Sequence, residues 1–147
     1  VGMTARIKRG QTPIHIGIDK DILYGVNGWH FDFKKDEFIY TTYEDAIRFK
    51  YVQSLAGDAT DGFHGIPKIG LKKAYKILEE CSTEEEMYNA SIEAYRKFYG
   101  DKYAYKSWDG RDLERTPEEL FEENMVLGWI MLEKDKTWSG KSIKEFQ

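Results

Sequence analysis

Cysteine is all but missing from the 147-residue chain, where Cys81 stands alone. One thiol forms no internal disulfide and no cysteine-rich zinc site, so the sequence reads as the product of a reducing cytoplasm. Long apolar runs are missing too. The longest span a few residues, which leaves no room for a transmembrane helix and no membrane partner. No charged segment leads into an apolar one at the start, so no signal peptide is expected. Internal repeats and low-complexity tracts are absent. So is a surplus of positive charge: 22 Lys+Arg stand against 26 Asp+Glu, for a net charge of −4. That argues against wholesale coating of nucleic acid but leaves room for a local basic patch. What the chain does have is apolar material, 41% hydrophobic and 15% aromatic residues, too much for a disordered chain. Its length suits one compact domain, or a small domain with extensions, and allows it to bury roughly two thirds of its unfolded surface.

Residues 1–9 read as a short helix with no capping residue before Val1, as the back half of a helix begun upstream would. Ile14 to Ile18 reads as a β-branched strand that runs into Asp19-Lys20-Asp21. Trp29 to Phe33 and Glu37 to Tyr40 are two further short strands, joined by a turn at Lys34-Lys35-Asp36. Thr42 and Asp45 fit the N-cap and third position of a helix that reaches Ala56, with Ile47, Tyr51 and Leu55 toward the core. Four glycines and a proline then make residues 57–70 a turn-rich link. Helices are expected over 71–80 and 83–98, the latter acidic at its start and basic at its end in keeping with the helix dipole. Residues 100–115 show no clear period and read as loop. Thr116-Pro117-Glu118-Glu119 is a strong helix start, for a helix expected to end near Lys134.

Three groups could carry chemistry. Asp19 and Asp21 lie where a strand breaks into a loop, a place where carboxylates converge on a hard cation such as Mg²⁺. The alternative is a solvated turn, which the pair alone favours. An EF-hand does not fit, because Leu23 and Tyr24 occupy positions that need a ligand and a glycine. Asp58 and Asp61, three apart, would share a face of a helical turn and repel unless a cation offsets them; Gly-Asp and Asp-Gly are also ordinary turn dipeptides. The third group is Gly65-Ile66-Pro67-Lys68-Ile69-Gly70-Leu71-Lys72-Lys73-Ala74. Glycine lets backbone N–H groups approach a phosphate, and Gly70 opens a helix whose free amides favour an anion. Lys68, Lys72, Lys73 and Lys76 crowd this stretch with no acid between Asp61 and Glu79, the footprint of a phosphate-backbone contact. The plainer reading is a helix–helix turn with a lysine-rich face. His64 could touch DNA or simply fill the turn. His15, between Ile14 and Ile16, reads as structural, and Cys81 has no group nearby to activate it.

Together, Gly17-Ile18-Asp19-Lys20-Asp21 and the block from Gln53 through Gly57-Asp58-Ala59-Thr60-Asp61 to Gly65-Ile66-Pro67-Lys68-Ile69-Gly70-Leu71-Lys72-Lys73-Ala74 resemble the 5′→3′ exonuclease and flap endonuclease family. The likeness is to phage enzymes and to the 5′-nuclease domains of bacterial DNA polymerases, and it covers roughly residues 1 to 80. It implies an α/β fragment of a PIN-like nuclease domain, with one or two strands from the edge of a mixed sheet over residues 1–41. A mostly α-helical helix-hairpin-helix (H3TH) DNA-binding region would follow over residues 42–147. It implies Asp19, Asp21, Asp58 and Asp61 as catalytic carboxylates on two divalent ions, Mg²⁺ or Mn²⁺, and K⁺ held by the carbonyls of Gly65 and Ile69. It also implies a grip on double-stranded DNA with 5′ ends or flaps through Gly65, Lys68, Gly70, Lys72, Lys73 and Lys76. The setting would be cytoplasmic, a host's cytoplasm if the chain is phage-encoded.

The family's first-strand Asp, its basic arch and the Asp-Asp before the Asp-x-Asp strand have no counterpart here. The chain thus resembles the back half of such a nuclease, with the front half supplied by a separate chain or lacking. Gly62-Phe63 stands where relatives often have Asn-Ile. Cleavage by this chain alone is expected to be weak or absent. The competing readings are a non-catalytic helix-hairpin-helix module that binds duplex DNA, and a truncated product with a sticky surface where the front half would dock.

Overall fold

The computed structural model describes residues 1–107 and 109–138. These form two compact units, one from Val1–Lys50 with Trp129–Thr137 and one from Tyr51–Gly128 with Trp138.

The first unit is built on a three-stranded mixed sheet from the three segments read as strands, where the family resemblance implied one or two. Helix α1 (Gly2–Lys8) precedes β1 (Ile14–Ile16), and a single-turn helix α2 (Lys20–Leu23) leads to β2 (Gly28–Asp32) and β3 (Glu37–Thr41). β1 pairs parallel with β2, and β2 pairs antiparallel with β3. The β2–β3 turn is the expected one, with Asp36 in the left-handed region (φ 55). Asp32 shapes it by accepting the N–H groups of Lys34 (3.0 Å) and Lys35 (3.1 Å).

Register decides which face is apolar. Ile14, Trp29 and Tyr40 align across the strands, as do Ile16, Phe31 and Phe38. Side chains on one face alternate along each strand, so these six share a face. It is open: Ile16 is 67% exposed, Phe38 61% and Tyr40 57%. The opposite face carries His30, Asp32 and Thr41, all buried. Burying polar groups is tolerable only when they are bonded. The Thr41 hydroxyl donates to the Leu23 carbonyl (2.6 Å), and His30 Nε2 meets the Val26 carbonyl at 2.8 Å. His15 lies against His30, their Nδ1 atoms 3.4 Å apart, in line with a structural role.

Helix α3 (Tyr43–Ala56) begins as its sequence predicts, with the Asp45 N–H donating to Thr42 Oγ1 at 3.0 Å. Its residues from Tyr51 onward belong to the second unit, and Tyr51 and Leu55 are buried there. That unit continues through α4 (Leu71–Leu78), α5 (Glu84–Tyr99) and α6 (Pro117–Leu127). α5 and α6 both open with full capping boxes, Thr83 with Glu86 and Thr116 with Glu119. Around Phe121 the core closes with Tyr51, Tyr95 and Met125. The Tyr95 hydroxyl donates to the Ser54 carbonyl (2.6 Å).

Residues 100–115 are not loop. β4 (Tyr103–Lys106) and β5 (Asp112–Arg115) form an antiparallel hairpin, with Gly110 at φ 83 in its turn. Only four residues long on each side, the strands are too short to show a period. α6 stops at Leu127, well before Lys134. Gly128, a poor helix former, donates its N–H to Asn124 and takes over as cap.

Candidate metal centre and nucleic-acid interface

Each aspartate pair is shaped by local backbone. β1 ends at Ile16, so Asp19 is not on the strand but caps α2. One of its carboxylate oxygens accepts the Asp21 N–H at 3.0 Å, which fixes Asp21 in the first helical turn. Behind α2, Lys50 of α3 is buried and donates to the Gly25 carbonyl at 3.0 Å. Its ammonium also lies 5.1 Å from the centre of the Trp129 ring, a distance at which the ring face attracts a cation. Burial pulls the Lys50 ammonium down to about 8, while the negative charge of Asp21 acts in the opposite direction. Sequence reasoning missed this lysine, because nothing in the periodicity of α3 marks a buried charge.

Asp58 and Asp61 do not share a helical face. α3 ends at Ala56, and residues 58–63 form a tight turn closed by backbone bonds between Asp58 and Phe63 (2.8 and 3.1 Å). Asp58, 9% exposed, accepts the Thr60 N–H at 2.9 Å. The turn brings an oxygen of Asp58 and one of Asp61 within 4.8 Å of each other, and Asp61 is exposed. Two carboxylates this close repel unless a cation or proton offsets them. An all-oxygen donor set of this kind suits a hard divalent ion.

The glycine-rich segment divides into two parts. Gly65 is buried at φ +58, where a Cβ would collide with the Gly57 nitrogen and the Leu55 carbonyl. Its N–H donates to Asn124 Oδ1 (3.0 Å), and its carbonyl accepts the Tyr99 hydroxyl (3.0 Å). Gly65 therefore lets the turn fold back on the end of α3, and its amide is engaged within the protein. Neither Asn124 nor Tyr99 was legible as a partner, because both are distant in sequence. Gly70 differs. It is exposed, the space a Cβ would occupy is empty, and α4 opens from it with no capping side chain. The first amides of α4 thus lack a side-chain acceptor, the arrangement that favours an anion. Lys68, Lys72, Lys73 and Lys76 are all exposed. Lys68 has the left-handed φ of 65, and its carbonyl accepts Lys73 Nζ at 3.1 Å. His64 is exposed in the turn, and Cys81 is half-buried.

A curated 5′-3′ exonuclease of Buchnera aphidicola (subsp. Acyrthosiphon pisum, strain APS) is 34% identical to the chain over 95 residues. Over that stretch the chain is similar to a 5′–3′ exonuclease. The match takes in 56% of this chain and 32% of the relative, so the chain covers about a third of that exonuclease's length. No family model matches the chain, and no solved structure does. Among the described residues no helix is long and apolar enough to cross a membrane.

Proposed function

We propose that the chain is the DNA-binding and metal-binding portion of a structure-specific 5′→3′ exonuclease or flap endonuclease. The observation that carries this reading is the Asp58–Asp61 turn, which runs directly into the Gly70 opening of α4 within a stretch rich in lysine. In this reading Asp19, Asp21, Asp58 and Asp61 hold two divalent ions, Mg²⁺ or Mn²⁺. Such ions supply an activated water and offset charge on the scissile phosphodiester. Asp19 does so with one oxygen already committed to the Asp21 amide, and so also sets the direction of the Asp21 side chain.

The duplex backbone lies against the first turn of α4. Gly70 gives a phosphate close access to the helix amides, and Lys68, Lys72, Lys73 and Lys76 supply charge. These contacts position the duplex without reading its sequence. K⁺ at the Gly65 and Ile69 carbonyls would share the Gly65 oxygen with the Tyr99 hydroxyl. A separate chain carrying the rest of the nuclease fold covers the open sheet face of Ile14, Ile16, Trp29, Phe31, Phe38 and Tyr40. The exposure of that face supports this.

The test is a gel shift and a cleavage assay on a 5′-labelled flap duplex, in Mg²⁺ and in EDTA. The expected result is binding that weakens with salt and in Lys72→Ala, with little cleavage by the chain alone. Mn²⁺ binding, read by calorimetry, is expected to fall in Asp58→Asn and in Asp61→Asn. No duplex binding at low salt would overturn the reading. Binding with no response to Mg²⁺, and Mn²⁺ binding that ignores both substitutions, would leave only the non-catalytic duplex-binding module.

A further inference from the structure

Helices α4 and α5 frame a groove of about 550 Å³ that shares Lys73 and Lys76 with the nuclease reading, which leaves its apolar floor and Lys97 without a role. Its floor includes Ile69, Ile77 and Phe98, and its rim carries Lys73, Lys76 and Lys97; no carboxylate lines it among the described residues. Phe98 is 51% exposed. In a chain of net charge −4, acids are plentiful, yet among the described residues neither Lys76 nor Lys97 makes an ion pair. Arg96, next to Lys97, is matched by Glu93, Asp101 and Glu118. The chain thus neutralises the outer side of α5 and leaves the groove side positive.

A nucleic-acid backbone takes up positive charge and hydrogen-bond donors but gains nothing from an isoleucine and phenylalanine floor. A ligand that uses both rim and floor is anionic and carries an apolar anchor. α4 has eight residues, so the groove runs about 12 Å at 1.5 Å per residue, the length of about four residues of extended peptide.

We propose that this groove binds a short acidic peptide segment of a partner protein, with one or two large apolar side chains seated on Ile69, Ile77 and Phe98 and carboxylates against Lys73, Lys76 and Lys97. The charge complementarity carries the choice of occupant. The interface is small, so the affinity is modest, with a Kd on the order of 10 μM at low salt. This does not depend on the nuclease reading.

The experiment titrates the full chain into a fluorescein-labelled hexapeptide, Asp-Glu-Asp-Asp-Leu-Phe, and follows anisotropy. Two control peptides replace Leu-Phe by Ser-Ser or the four acids by their amides. Saturable binding is expected to weaken about 10-fold in Lys97→Glu and with either control peptide, and about 5-fold in Phe98→Ala. Both substituted side chains are exposed, and circular dichroism checks the fold; the peptide controls use the unaltered chain and stand even if a variant misfolds. Duplex binding in Phe98→Ala is expected to stay at its unaltered level. Binding that ignores the loss of Leu-Phe would reduce the groove to a charged patch and overturn the proposal. So would a peptide that fails to bind, or duplex DNA that displaces it and is itself weakened by Phe98→Ala, since the groove would then belong to the DNA contact.

Discussion

In the helical unit, Phe121 is fully buried, with Tyr51, Tyr88, Tyr95 and Trp138 around it at ring-centre distances of 5.6 to 5.8 Å. In the sheet unit, Trp29 meets Tyr40 at 5.0 Å and Phe31 meets Phe38 at 4.9 Å, closer still, but on an open face. Ring pairing is the same in both; enclosure is not. Cross-strand pairs give the sheet a few tenths of a kcal/mol each, whereas removal from water on every side is worth about 2 kcal/mol or more per large side chain. The helical unit collects both contributions. The sheet unit collects the first and leaves the second to whatever covers it.

The sharpest way to break this contrast is to truncate one ring in each unit. Phe121→Ala is expected to cost about 3–5 kcal/mol in denaturant unfolding. The two units also answer alkali in opposite directions. Tyr88 is raised to about 12, chiefly by burial, and Tyr51 and Tyr95 are raised further. Stability from these folded tyrosines is fully present below pH 10 and is lost as pH rises above it, because the unfolded chain ionises first. Lys50 does the reverse. Its folded value, about 8, lies below the ordinary 10.5, so the unfolded chain holds more protons from about pH 8 upward and the cost of the buried charge disappears over that range. Relative to Lys50→Met, the unaltered chain is therefore expected to gain on the order of 2 kcal/mol between pH 7 and 10. A stability difference that does not move with pH would place the Lys50 ammonium in water. Thr116→Ala, which removes the α6 capping box, is expected to cost about 1 kcal/mol in the same unfolding experiment. Smallest of all, Phe38→Ser is expected to cost less than about 1 kcal/mol while lowering the fluorescence of a bound apolar dye. If it cost as much as Phe121→Ala, the face would be enclosed and the contrast would fall.

Much of the helical framework could be read from local signals. Thr42, Thr83 and Thr116 act on amides three residues away, and Ile47, Tyr51 and Leu55 recur at the helical repeat. The hairpin at 103–115 was missed because its pairing is carried by backbone across the turn, as in Tyr103 with Arg115. At the candidate site, the sequence named the four aspartates and the Gly70 start of α4. It misjudged how they are held: Asp19 as a cap, and Asp58 with Asp61 by a bridged turn in place of a helical one. Lys50 escaped notice because its burial is imposed by packing, which no periodicity encodes. The open sheet face was in plain view as alternating aromatics, but alternation cannot say which side faces out.

The clamp on Gly65 has a consequence for how the chain matures. Tyr99 lies 34 residues downstream of it and Asn124 lies 59. At about 5–20 residues per second of synthesis, α3 and the glycine turn emerge roughly 3–12 s before the asparagine that completes the clamp. During that interval the turn exists without its final geometry, so the nascent chain reaches its finished glycine turn only after α6 has left the ribosome.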